Sequence, residues 1–417
     1  MTTLFSSSRR RFLIQGTALG CSLAANPFVT PITFASAPWD TRLVVIILRG
    51  AMDGLDVVQP YGDRNYATLR PDLPGGEAGG GFDLDGFYSL NRNLAPLEPL
   101  WQAGGLGFAH AVSTPYRNKR SHFDGQDILE AGTGMDVGIG AMRDGWLNRM
   151  LTQVPGVEAQ TAYAVGREDM ILLNGHATVQ SWSPETRLDL TTQGKRLLEA
   201  IYHDDPVFQS AGNMATDMVE LLGMTSADDG GDNADMTGDA MASMLKGRAS
   251  GRAAALAKFA ADRLNEETRI AAFSINGWDT HRSQNNGLKA ALGELSDAIL
   301  TLRETLGSNW TKTAVVAMTE FGRTAHQNGS NGTDHGTGGA MLLAGGAIRG
   351  GQVYGDWPGL GAGQLYQGRD LMPTRDVRAY PAWLMRGLFG LSADTIERVV
   401  FPGLCLTSAP MGPNRVI

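Results

Sequence analysis

Cysteine is almost missing from this chain of 417 residues: it has two, Cys21 and Cys405. Cys21 falls in an N-terminal segment that reads as a removable signal, so the rest of the chain can form no internal disulfide and must stand on its core alone. A chain of about 380 residues can do so, because it buries roughly three quarters of the surface its unfolded form exposes. Basic excess is missing too. Lysine and arginine number 35 against 43 acids, a formal charge of −8, which argues against a nucleic-acid partner, since such partners are drawn by cationic surface. Long apolar runs are also absent: the best candidate, FLIQGTALGCSLAANPFV, is interrupted by Gly16, Gly20 and Pro27, whereas a stable membrane span needs about 20 predominantly apolar residues. There is no internal repeat, and 19% charged residues with 54 glycines fit a loop-rich globular protein.

What stands at the N-terminus is a signal of a particular kind. Ser8-Arg9-Arg10-Arg11-Phe12-Leu13 precedes the broken apolar run, a charged n-region followed by an h-region, and an arginine pair in that setting marks the twin-arginine route. The expectation is a signal peptide over residues 1–37, the twin-arginine export machinery as a partner, and a periplasmic or secreted protein. Cleavage is expected after Ala35 or after Ala37, the second disfavoured by Pro38. Lipid anchoring through Cys21 would want a larger aliphatic residue than Ala18. Residues 38–417 are then expected to form one domain.

Leu43 to Leu48 (LVVIIL) is apolar at every position and opens into Arg49-Gly50-Ala51-Met52-Asp53-Gly54, which predicts a buried parallel strand ending in a polar loop. Gly107 to Val112, Ile270 to Ile275, Ala314 to Thr319 and Ala340 to Ala344 read the same way. Between them, Asn285 to Leu306 repeats leucine and isoleucine every three or four residues, a helix. Strands alternating with helices predict an α/β fold, a three-layer sandwich with a mostly parallel sheet covered by helices. Residues 191–265 lack strand signal and read as a helical insertion. Its acidic stretch SADDGGDNADMTGD lacks the distal Glu of a calcium loop and reads as a solvated loop.

Ligands in such sheets bind beyond the carboxyl ends of strands. Asp53 and Asp56 follow the first apolar run, Ser113 to Asp124 the second, Trp278-Asp279-Thr280-His281 the third, and Glu320-Phe321-Gly322-Arg323 the fourth. A Gly-bearing loop then places Asp334 beside His335. Histidine with carboxylate is the ligand set of zinc or another borderline divalent metal. Asp53, Asp279, His281, Glu320, Asp334 and His335 are therefore candidate ligands for a divalent metal, zinc first, with manganese or calcium as alternatives. His110, His176, His203 and His326 read as packed or hydrogen-bonded rings. A metal so held would favour hydrolysis of an ester. Ser121 is the candidate nucleophile because it opens a predicted helix whose N-terminus favours negative charge; Ser113 is its rival, and a helix cap is the other reading of such a serine. His122, Glu320 and Arg323 complete the catalytic candidates. Arg117, Lys119 and Arg120 would draw an anionic small-molecule ester or form a solvated basic patch. The glycines of GTGGAMLLAGG precede a strand, which is the wrong order for a dinucleotide fingerprint.

LRGAMDGLDVVQPYGD, STPYRNKRSHFDGQDILEAG, GWDTH, MTEFGRTAHQNGSNGTDHGTGG and GGQVYGDWPGL together resemble the DUF1501 family, twin-arginine-exported bacterial proteins related to the alkaline phosphatase and sulfatase superfamily. The resemblance covers nearly the whole chain after the signal. It implies an alkaline phosphatase-like three-layer α/β fold in which Asp and His at strand ends hold metal and a hydroxyl at a helix start attacks an ester. On that likeness Asp53 stands near the acid after the first strand, Asp279 with His281 near an Asp-and-His ligand element, and Asp334 with His335 near a late histidine motif. STPYR is similar to the sulfatase nucleophile segment, which points to Ser113. Three features depart from the pattern: Arg49-Gly50 stands where an acid is usual, Glu320-Phe321-Gly322 where Asp-His-Gly is usual, and the spacing between Asp279 and His281 is shorter than usual. One metal site is implied, and a metal-free binding protein on the same fold is the alternative.

Overall fold

The computed structural model describes residues 39–135, 144–154, 170–177, 251–266 and 268–406, with the short strand segments 32–36, 164–165 and 179–182. The expected signal peptide lies outside these residues except for Ile32–Ser36, and so does the expected helical insertion except for the helix that closes it. The strands are β1 (Ile32–Ser36), β2 (Arg42–Leu48), β3 (Val58–Gln59), β4 (Phe82–Asp83), β5 (Ser89–Leu90), β6 (Leu106–Ser113), β7 (Ala164–Val165), β8 (Gln180–Trp182), β9 (Thr268–Ile275), β10 (Thr313–Met318), β11 (Gly339–Ala344), β12 (Val353–Tyr354) and β13 (Arg375–Asp376). The main sheet has ten strands in the order β12-β6-β11-β10-β2-β9-β1-β8-β7, with β13 also on β6; β3, β5 and β4 form a small second sheet. The helices that matter below are α1 (Gly54–Val57), α2 (His122–Ala131), α3 (Trp146–Gln153), α4 (Arg252–Asn265), α5 (Gln284–Leu306) and α6 (Ala379–Phe389).

All five expected strands form, and their uninterrupted apolar character has the expected cause. In β2, Val44, Ile46 and Leu48 face one side with α4 and α5, while Leu43, Val45 and Ile47 face the other with α3 and α6. Both faces are covered, so Leu43 to Leu48 is apolar throughout; each such aliphatic side chain contributes about 1.5–3 kcal/mol on burial. The fold is thus α/β with helices on both faces of the sheet.

The sheet is mixed, where a mostly parallel one was expected. β9, β2 and β10 run parallel, but β11 runs antiparallel to both β10 and β6, and β1 antiparallel to β9. Pattern alone does not distinguish these cases, because a strand buried on both faces reads the same in either direction. The reversal has a consequence for the site. β6, β10, β2 and β9 all end at one edge, and β11, running the other way, begins there. The loop joining β10 to β11 therefore never leaves that edge. Among the described residues no helix is long and apolar enough to cross a membrane.

Candidate metal centre

The loops at this edge are fixed by side chains buried beneath them. Trp278, fully buried, donates its indole N–H to the carbonyl of Ile275 at 3.0 Å, anchoring the turn that carries Asp279 and His281. Arg323, 1% exposed, joins three loops: Nε donates to Ala51 O, Nη1 to Thr333 O, and Nη2 to Gly50 O, Trp278 O and Asp279 Oδ1. Two glycines let the β10–β11 loop close on its neighbours. A Cβ on Gly336 would lie 2.4 Å from the backbone carbon of Arg323, and one on Gly332 would lie 2.3 Å from that of His281. The Gly-rich run thus serves close packing of backbone on backbone.

These constraints bring together three imidazoles and one carboxylate. Candidate ligand atoms of His122, Asp279 and His335 all lie within 4.8 Å of one another. His281 joins them: its Nε2 is 3.1 Å from Asp279 Oδ1 and 2.9 Å from His335 Nε2. His335 Nε2 is likewise 3.1 Å from Asp279 Oδ1. His122 Nε2 is 3.6 Å from Asp279 Oδ2, beyond hydrogen-bond reach, and is a buried ring nitrogen with no hydrogen-bond partner.

Behind each ring stands an acceptor. His122 Nδ1 is 2.8 Å from Glu320 Oε1, His281 Nδ1 is 3.2 Å from Asp334 Oδ1, and His335 Nδ1 is 3.2 Å from the carbonyl of Arg120. A carboxylate or carbonyl can only accept, so each Nδ1 carries the proton and each Nε2 is turned inward. This is how metal-binding histidines are oriented by their outer partners. Two nitrogens about 2.0–2.1 Å from one tetrahedral ion stand ~3.3 Å apart, close to the spacing of the His281 and His335 Nε2 atoms. The orphaned His122 Nε2 completes the fit: His122, Asp279 and His335 suit one divalent metal, and His281, through its contacts with Asp279 and His335, stands beside them as a further nitrogen donor. Calcium, which takes 6–8 oxygens, does not suit this donor set.

The electrostatics agree. Burial raises the Asp279 carboxyl, but the His122 ring facing it, its bond to His335 and the Arg323 guanidinium hold it far below the usual carboxylate range. Burial works against a charge on His122, yet Asp279 and Glu320 outweigh it and push the ring up to about 9. Without metal that ring holds a proton at neutral pH, which a bound cation would displace. Glu320, fully buried, is penalised by desolvation but held below its ordinary value by His122 and Thr319, so it is an ionised acceptor.

The candidate residues therefore separate by position. Asp279, His281 and His335 converge as expected. His122, expected in catalysis, lies with them. Glu320 and Asp334 stand one layer out, where they orient rings. Asp53 is elsewhere: its oxygens meet Arg70 at 2.7 and 3.0 Å and Gln284 at 2.7 Å, and it caps α1 through Leu55 N. Arg323 has each of its three nitrogens engaged, so it holds loops together. Ser121 is the N-cap of α2, its Oγ accepting from Asp124 N at 3.4 Å. Ser113 ends β6 with its Oγ buried and without a hydrogen-bond partner. Arg49 is tied to Gln126 and Glu130, both at 2.6 Å. Sequence reasoning missed the Arg120 carbonyl, because a backbone acceptor leaves no mark in residue identity.

Replacing Glu320 with Gln should lower zinc affinity about 10–100-fold while the protein stays folded, because outer partners of metal-bound histidine carry effects of that size. Competition with a chromophoric chelator, alongside circular dichroism, measures both.

No curated protein matches the chain. Among solved structures, the PH0037 protein from Pyrococcus horikoshii is similar at 12% sequence identity over 73% of this chain and 88% of its own, with a TM-score of 0.26. Residues 107–379 match the family model described as "Protein of unknown function (DUF1501)", and the chain belongs to the DUF1501 family.

Proposed function

We propose that this protein is an exported metal-dependent hydrolase of phosphate or sulfate esters, on an alkaline phosphatase-like version of the three-layer fold. The observation that carries the reading is the convergence of three inward-turned Nε2 atoms and the Asp279 carboxylate, each ring backed by its own acceptor. A divalent metal held there supplies Lewis acidity towards an ester oxygen and lowers the pKa of water to about 7. His122, His281, His335 and Asp279 would hold it; Glu320, Asp334 and the Arg120 carbonyl keep the rings aimed, and Arg323 keeps Asp279 in place. Export by the twin-arginine route, which accepts folded proteins, fits a site loaded before transport.

A second reading, a non-catalytic exported binding protein, draws on one observation: neither candidate hydroxyl is placed as a nucleophile, since Ser121 caps α2 and Ser113 is buried. The two readings separate on turnover. Zinc- and manganese-loaded protein is expected to hydrolyse p-nitrophenyl phosphate or p-nitrophenyl sulfate, and Asp279→Asn to abolish that activity. A loaded protein that binds these esters without turning them over would leave the binding reading standing.

A further inference from the structure

The chain is acidic overall, yet the loops around the imidazole cluster carry cations that form no side-chain salt bridge among the described residues, Arg120 facing the charge of Asp370. Lys119, Arg120 and Arg282 are exposed. Arg120 immediately precedes Ser121 and His122 and gives its carbonyl to His335; Arg282 immediately follows His281. Nearby acids are committed: Asp279 to Arg323, Glu320 to His122, Asp334 to His281, and Asp370 to Thr337 and Arg369. Among the described residues, Asp124, in the first turn of α2, stands against the three exposed cations Lys119, Arg120 and Arg282.

The backbone that presents these cations is held in conformations that side chains disfavour. Asn118 has φ 66° and Arg120 φ 58°, and Ser283, beside Arg282, has φ 46°. Non-glycine residues in the left-handed region persist only where their surroundings over-determine them, and they gather at ligand-binding positions. The bracing is visible. Asn118 Oδ1 accepts from Tyr366 O–H at 3.3 Å and Gln367 Nε2 at 3.0 Å, Ser121 N donates to Tyr116 Oη at 2.8 Å, and Ser283 N donates to Ser330 O at 3.0 Å.

We propose that Lys119, Arg120 and Arg282 form a second anion subsite beside the metal centre, so that the substrate class is a dianionic molecule: one anionic group at the metal and another, such as a carboxylate or a second phosphate, on this rim. The proposal rests on the metal reading above. A surface serving only solubility would not need strained, braced backbone on both flanks of the cluster.

A matched pair of unreactive ligands tests it: propylphosphonate, and 3-phosphonopropionate, in which a carboxylate replaces the terminal methyl. Full-length zinc-loaded protein is titrated with each by calorimetry, after its zinc content has been measured. The expected result is that 3-phosphonopropionate binds at least tenfold more tightly, and that the preference falls severalfold in the Lys119→Gln/Arg282→Gln variant while its zinc content is unchanged. Equal affinities in the parent protein, or a preference undiminished in the variant, overturns the subsite and leaves the metal centre intact. A folded parent protein that takes up no zinc overturns the metal reading and the subsite with it.

Discussion

His335→Ala is expected to reduce bound zinc from close to one equivalent to background, while the exposed His326→Ala retains the full amount. His335 occupies the middle of the cluster: its Nε2 lies within 3.1 Å of both His281 Nε2 and Asp279 Oδ1, and its ring packs against His122 with centroids 4.4 Å apart. Removing it takes away a nitrogen of the proposed metal site and also the surface against which its neighbours in the cluster are set. Elemental analysis of both variants, purified without chelators, measures the difference. His326 is exposed and joins none of these contacts, so it controls for a general effect of losing a histidine. Equal zinc in the two variants would show that the metal sits elsewhere.

Arg70→Leu is expected to destabilise the protein by about 3–5 kcal/mol, the usual cost of leaving a buried charge without its partner. Arg70 is fully buried and forms a two-pronged ion pair with Asp53. Asp56 lies alongside, sharing Gln284 with Asp53 at 2.7 and 2.8 Å. Burial and the charge of Asp53 hold the Asp56 carboxyl above its ordinary value. A carboxyl whose folded pKa is raised binds its proton more tightly in the folded state, so its penalty is absent below the unfolded value and grows as pH rises through the folded one. Losing Arg70 raises Asp56 further, so the deficit should shrink as pH falls towards 4. Urea unfolding at pH 7 and pH 4.5 measures both the loss and its sign. The Asp53→Asn/Arg70→Leu pair should recover most of the stability, since it removes both charges. Arg70 also donates to Thr324 O and Ala325 O, and Thr324 N in turn holds Asp334 O at 2.9 Å. The same variant should therefore weaken zinc binding.

The core was legible in the sequence because LVVIIL and its counterparts can only be strands covered on both faces, and α5 because its leucines repeat at helical spacing. The direction of β11 was not legible, since a doubly buried strand carries no mark of its polarity. That direction is what returns His335 to the edge where β10 ends. In the cluster, residue type gave the right neighbourhood. Asp279, His281 and His335 sit in glycine-bearing loops after strands, where ligands gather. Whether a carboxylate meets the ion or the ring behind it depends on a difference of a few ångströms. That difference is set by tertiary contacts such as Glu320 with Gly50 N, Thr319 and Gln126, so Glu320 and Asp334 read as ligands when their place is one layer out. Asp53 misled for a related reason: its partner Arg70 is 17 positions away, and nothing in either residue announces the pairing. In the sequence, His122 reads as catalytic beside the candidate nucleophile Ser121. Its approach to Asp279 from a distant part of the chain appears only in the fold.

X-ray absorption at the zinc edge, on protein loaded with one equivalent of zinc, tests the central claim most directly. The account predicts a first shell of nitrogen and oxygen at about 2.0–2.1 Å with the multiple scattering of three imidazoles, supplied by His122, His281 and His335. A shell of oxygens alone, a shell containing sulfur, or a folded protein that takes up no zinc would contradict it.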